Sequence, residues 1–135
     1  SKDTAKITST DVLTKNSTTI GNYYNNLWTI KNANAQYSTN NRSTFTACPN
    51  PFKKESSSDK LLTTGADSSF SVQNIYDMAG NVWEWTLEKT SDDSNPCPPR
   101  GGNSNDNGSD FPAANRGDNP TTDAYSFIGF RLSLW

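Results

Sequence analysis

Between Asn103 and Ser126 the chain runs through 24 residues, NSNDNGSDFPAANRGDNPTTDAYS, that are small or polar almost throughout. Nothing in them repeats at 2.0 or 3.6 residues, the periods of a half-buried strand and an amphipathic helix. An unstructured insertion of this length is uncommon in a compact domain unless the loop itself is functional. Its flanks then have to be rigid, and both read as strands. In Val82-Trp83-Glu84-Trp85-Thr86 the two tryptophans share one face, with Val82, Glu84 and Thr86 on the other. After the polar run, Ile128, Phe130, Leu132 and Leu134 alternate with Gly129, Arg131, Ser133 and Trp135, which predicts a half-buried closing strand.

The rest of the chain is less regular. Ser1 to Ser58 is rich in Asn, Ser and Thr, and its main apolar cluster is Tyr23, Tyr24, Leu27, Trp28 and Ile30. That spacing fits a short helix or irregular packing equally well. NPFKKESSSD, from Asn50 to Asp59, is loop by composition. Ser71 to Met78 carries Val72, Ile75, Tyr76 and Met78 ahead of a turn at Gly80. A mean hydropathy of -0.83 would suit a disordered chain, but disorder goes with few aromatics and strong net charge. Here aromatics reach 11% and the formal charge is -2, which argues for a folded domain with an aromatic core. At 135 residues the expectation is one domain spanning 1–135. The opening SKDTAKITSTDVL reads as a cut edge, making this the C-terminal part of a longer protein.

Several classes of chemistry drop out. The sequence contains no histidine, which removes imidazole acid–base catalysis, Ser-His-Asp and Cys-His arrangements, and the commonest transition-metal ligand. A pI near 4.9 argues against an electrostatic nucleic-acid binder, and no apolar run reaches membrane-spanning length. Cys48 and Cys97 sit in proline-flanked loops and stand either as one disulfide or as two free thiols. They do not form a CxxC pair. The acid pairs Asp92/Asp93 and Asp106/Asp110 read as solvated side chains, with no apolar pocket to raise one pKa. Asn103 to Gly108 looks like the start of an EF-hand loop, but Ala114 falls where the closing carboxylate belongs.

Three landmarks occur in order: NIYDMAGNVWEWT from Asn74 to Thr86, Arg100-Gly101-Gly102, and Gly129-Phe130-Arg131. Together they resemble the signature of the formylglycine-generating enzyme (sulfatase-modifying factor) family, over Leu61 to Trp135. The resemblance implies an α+β, C-type-lectin-like fold: a small twisted antiparallel sheet, one or two short helices and extensive loops. Those enzymes oxidise a substrate thiol with a copper-binding cysteine pair just after the RGG landmark. The matching places here are about Asp106 and Phe111, neither of which is a soft ligand. Related iron enzymes use histidines, and Cys97 precedes the landmark, so the resemblance implies a protein without the enzyme's chemistry and without a redox metal. It also implies a structural calcium ion, held by the side chains of Asp77 and Glu84 and the carbonyls of Gly80 and Val82. The alternative is a salt bridge from Glu84 to Arg100 or Arg131.

A second branch of the same fold is similar too: the variable proteins of diversity-generating retroelements, including phage tropism determinants. They carry their variable region between RGG and GFR-like landmarks and draw on the Asn, Asp, Ser, Gly, Thr and Tyr vocabulary found here. This resemblance implies a non-catalytic receptor-binding domain on a phage particle or bacterial surface, displaying residues 103–127 to a protein or glycan on a cell. The contact residues expected are Asn103, Asn105, Asp106, Asn107, Asp110, Phe111, Asn115, Asp118, Asn119, Asp123, Tyr125 and Phe127. The alternatives are a divergent oxidase with relocated metal ligands near Cys97, or a structural lectin-fold module with no variable ligand.

Overall fold

Few stretches of this chain alternate for long, and its strands are correspondingly short. The computed structural model describes residues 9–39, 42–72 and 74–131. Among them ten strands of two or three residues each form four small sheets, with one short helix, α1 (Asp11–Thr14), and two single 3₁₀ turns. The architecture is α+β, and all but one of its strand pairs are antiparallel.

The N-terminal aromatic cluster resolves into β1 (Trp28–Ile30), a strand, where the spacing fits a helix or irregular packing. Trp28 and Ile30 face inward and Thr29 outward. Three residues supply a single period of alternation, too little for the sequence to declare. Its antiparallel partner β4 (Phe52–Lys54) lies inside the segment expected to be loop. Two further groups follow. β2 (Gln36–Ser38) pairs with both β3 (Thr46–Ala47) and β5 (Leu61–Leu62). β6 (Ser71–Val72) and β7 (Ile75–Tyr76) make a hairpin of their own.

The core gathers Trp28, Ile30, Ala35, Cys48, Leu62, Ala66 and Phe70, with Tyr37 and Phe52 packed against it. Phe52 meets Trp28 edge-on at 5.3 Å and Tyr37 at 4.6 Å, the offset arrangements that aromatic quadrupoles favour. Lys54 is buried on the Trp28 side. Its ammonium donates to the Tyr23 carbonyl at 2.6 Å and stands 5.7 Å from the indole centroid. Burial pulls its pKa down to about 8, against a smaller upward pull from Asp59. Cys48 is buried, Cys97 is half-buried, and both are free thiols.

The last sheet carries the two flanks of the polar run. β8 (Trp83–Trp85) lies between β9 (Pro99–Arg100), antiparallel to it, and β10 (Ile128–Gly129), parallel to it. The closing strand is thus shorter than its alternation suggests. Phe130, expected on the buried face, is 75% exposed, and Leu132 and Leu134 lie outside the described residues. Trp83 is buried and Trp85 half-buried, in keeping with one inward face.

Candidate functional site

The polar run begins at a double-glycine turn. Gly101 and Gly102 have φ of 101° and 71°, conformations that L side chains rarely adopt. A Cβ on Gly102 would also stand 2.9 Å from the Tyr23 ring. The Tyr23 hydroxyl lies 2.7 Å from the Gly101 carbonyl oxygen and 2.9 Å from that of Phe111, so its proton can serve either end of the arc between them. Burial pushes that phenol well above its ordinary pKa.

From Asn103 to Ala114 the run is stitched into the body of the protein. The Asn103 carboxamide oxygen accepts from the Asn105 amide at 2.7 Å, a local turn closure typical of asparagine. Asp106 accepts from the Asn103 amide at 2.9 Å and from the Trp83 indole at 3.0 Å, on the same carboxylate oxygen. Burial raises its pKa, opposed by these two donors. Ser104 is fully buried: its amide donates to the Asn81 carbonyl and its hydroxyl to Asp59 at 2.6 Å. The Gly108 carbonyl accepts from the Ser17 amide, and the Gly108 amide donates to Asn25. The Asp106 carbonyl accepts from the Tyr24 amide, and Ala113 and Ala114 donate to Ser17 and Leu13. Phe111 stands edge-on to Trp83 at 5.7 Å while remaining partly exposed.

The second half is held at its ends. The Gly117 amide donates to the Pro99 carbonyl at 2.8 Å, and the Phe127 carbonyl accepts from the Trp83 amide at 2.9 Å. Between them Asp118, the stretch 121–124 and Ser126 are exposed. Tyr125 and Phe127 lie with ring centroids 5.3 Å apart, and the Tyr125 hydroxyl donates to Asp123 at 3.3 Å.

The twelve expected contacts therefore divide. Asp118, Asn119, Asp123, Tyr125 and Phe127 share the open segment, and Asn105, Asp110 and Phe111 are exposed on the first half. Asn107 is half-buried and donates to Asp110 at 3.1 Å, and Asn115 is half-buried on a turn from Pro112. Asn103, at 7% exposure, and Asp106 are internal braces, which corrects their reading as surface contacts. Asp106 is also no solvated acid, whereas Asp92 is exposed and its carboxylate accepts from its near neighbours Ser94 and Asn95. The physical reason lies in Trp83 and Asn103: a buried indole or amide N–H needs an acceptor, and the nearest carboxylate supplies it.

Two features bordering the open segment escape sequence reasoning. A cavity of about 260 Å³ is lined by Trp85, Thr86, Leu87, Cys97 and Thr121. Leu87 is fully exposed, a solvent-facing leucine directly after the WEWT stretch. Nearby, the Glu88 carboxylate bridges two guanidiniums, Arg100 at 2.5 Å and Arg116 at 3.2 Å. Three residues on three segments make that group, so no local motif announces it.

Of the residues expected to hold calcium, Glu84 already has a cationic partner. Arg131 spans both oxygens of Glu84, at 3.1 and 2.5 Å. Asp77 turns one carboxylate oxygen to the Gly65 amide at 3.0 Å, and its other oxygen is buried without a partner among the described residues. Burial pushes the Asp77 carboxyl up to about 6, opposed by the Gly65 amide and the Arg131 charge. Gly80, at φ 67°, donates to the Gly101 carbonyl, and Val82 is half-buried beside Gly129. Among the described residues no three His, Cys, Asp or Glu side chains cluster as a metal site would. Within the expected donor set, then, Glu84 is paired with the Arg131 guanidinium, and one buried Asp77 oxygen stays open. No described helix is long and apolar enough to cross a membrane.

A family model described as a sulfatase-modifying factor enzyme 1-like domain matches residues 9–134. The match extends the likeness into the N-terminal half, where the landmark motifs alone do not reach. No curated protein and no solved structure matches the chain.

Proposed function

The chain belongs to the sulfatase-modifying factor enzyme 1-like domain family, and from that premise we propose that it is a non-catalytic member whose role is ligand recognition. The observation that carries this reading is the division of the polar run. One half is bonded into the protein. The other, from Asp118 to Ser126, is tethered at its ends, with its polar side chains largely exposed and Tyr125 half-exposed among them. A rigid base presenting a hydrophilic segment is how binding loops reach specificity at small cost to folding. Asn, Asp, Ser and Thr supply adaptable hydrogen bonds there, and Tyr125 and Phe127 supply aromatic anchors.

Two further observations support the non-catalytic reading. At the places where the family's oxidases keep their copper cysteines, Asp106 and Phe111 serve instead to hold and cover Trp83. The sequence has no histidine to offer an iron centre. We place the protein with the variable proteins of diversity-generating retroelements, in a C-type-lectin-like fold, acting on a phage particle or bacterial surface against a protein or glycan of another cell.

The test is a binding assay on bacterial cells with the wild-type chain and with Asp118→Ala, Asn119→Ala, Asp123→Ala and Tyr125→Ala combined. The expected result is loss of cell binding with an unchanged unfolding midpoint. Retained binding by the combined variant would sink the reading. A reverse transcriptase gene nearby, with a template copy differing at adenines, is the matching genomic expectation.

A further inference from the structure

The cavity of about 260 Å³ beside the open segment draws its walls from separate stretches of chain. Trp85, Thr86 and Leu87 come from the end of β8 and the residues after it, Cys97 from the loop before β9, and Thr121 from the open segment itself. None of these side chains is an acid, an amide or a base. The Thr86 hydroxyl is already used, donating to the Pro98 carbonyl at 2.8 Å and accepting from the Glu88 amide at 3.4 Å. The Cys97 thiol is a weak hydrogen-bonding group. A sugar, whose hydroxyls need partners once they leave water, finds few here, whereas an apolar group finds an indole, a leucine and a thiol. Whole small-molecule ligands fill roughly 300–1,000 Å³, so the volume suits one bulky side chain. A single exposed leucine carries no message by itself, but the fully exposed Leu87 extends the apolar wall of a cavity outward.

Charge lies next to it. One residue past Leu87, the Glu88 carboxylate takes both Arg100 and Arg116, at 2.5 and 3.2 Å, and one acid against two bases leaves that trio a positive charge in excess. Arg116 is the more open guanidinium, its side chain 47% exposed against 31% for Arg100. Resting on the open segment as the recognition surface, we propose that this cavity is the anchor pocket for a protein ligand. One bulky apolar side chain of the partner enters against Trp85, Leu87 and Cys97, and an acidic residue beside it meets Arg116. Thr121 joins the pocket to the open segment, so the ligand narrows from a protein or glycan to a protein. The polar side chains of the segment then set specificity, while the desolvated anchor carries the larger share of the affinity, as at the centre of protein interfaces.

The first measurement needs no cell. At about 50 mM, N-acetylleucinamide should slow the reaction of Cys97 with a disulfide-exchange reagent about twofold by occupying the cavity, and galactose at the same concentration should leave it unchanged. The second is binding to bacterial cells left intact, treated with protease, or treated with periodate. Leu87→Ser, at a side chain that nothing covers, should bind about tenfold more weakly with an unchanged unfolding midpoint, and Cys97→Phe, which fills the cavity from its own wall, should match it. Arg116→Gln should weaken binding about threefold and lessen its salt dependence. Protease should strip the cells of binding and periodate should not. If Leu87→Ser and Cys97→Phe bind as the wild type does while the combined open-segment variant has lost binding, the pocket is overturned and the open segment stands. Binding that periodate removes and protease spares overturns it too. If the wild type binds no cell, the recognition reading fails by itself and the thiol measurement decides: an amide that does not slow Cys97 overturns the pocket, and one that does supports it.

Discussion

The carboxamides of Asn22 and Asn81, 59 residues apart, meet at 3.0 Å in the protein interior. Asn81 also accepts from the Leu62 amide at 2.9 Å and donates to the Leu62 carbonyl at 3.0 Å, completing one rung of a strand with a side chain. Asn22 in turn donates to the Lys60 carbonyl and accepts from the Trp28 indole at 3.2 Å. Both polar atoms of each side chain are used, and both residues are buried. Asn81 holds φ 65°, which asparagine tolerates better than most residues.

Asn81→Ala removes this partner from the Leu62 amide and carbonyl and takes one of two acceptors from the Asn22 carboxamide. At about 1–3 kcal/mol for each buried group stranded, the expected loss is about 3 kcal/mol or more in urea unfolding. Asn81→Asp keeps the acceptor, loses the donor and buries a charge. It should do no better than alanine at pH 7.

Lys54 makes stability depend on alkaline pH. Unfolded, its amine titrates near 10.5; folded, near 8, because burial disfavours the charge. Between those values the unfolded chain holds the extra proton, so stability rises as pH climbs from 8 to 10.5. The rise from this group should be on the order of 1–2 kcal/mol after allowance for solvent screening. Lys54→Met should flatten that part of a denaturation-against-pH profile. An equal rise in wild type and variant would assign the effect to other groups.

The thiols differ in environment. Cys97 is half-buried at a surface cavity, whereas Cys48 is in the core and burial pushes its thiol up. A disulfide-exchange reagent should titrate one thiol in the native protein and a second only in denaturant. Cys48→Ser, which puts a hydroxyl into the cluster of Trp28, Ile30 and Phe70, should cost about 1–3 kcal/mol. Cys97→Ser should be close to neutral.

How much of the molecule is legible in its sequence follows from how many residues each signal engages. The WEW strand is legible because its alternation and the turn glycine before it agree. Glu84 is half-buried with Arg131 as its partner, one of the two arginines its position suggests. β4 is hidden because Lys54 points inward, and a lysine reads as solvent-facing unless its carbonyl partner is known. The closing strand is overextended because Phe130 alternates correctly yet meets solvent. The polar run reads as one surface because composition cannot separate an asparagine bonded inside from one bonded to water. Asn103 and Asp118 belong to the same vocabulary and to opposite environments.

That division yields the sharpest contrast. The amides of Ser104, Gly108, Ala113 and Ala114 donate to Asn81, Asn25, Ser17 and Leu13, so their exchange requires opening contacts with the N-terminal segment or the core. Exposed residues 121–124 carry no such long-range bonds among the described contacts, and their amides should exchange far faster. Substitution should follow the same line. Asp106→Ala strands the Trp83 indole and the Asn103 amide, for an expected cost of about 2–4 kcal/mol and a shift in tryptophan fluorescence. Asp118→Ala and Asp123→Ala should stay within about 0.5 kcal/mol of the wild type. Equal protection across both halves, or an Asp106→Ala variant as stable as Asp118→Ala, would mean that the run behaves as one loop and that its first half braces nothing.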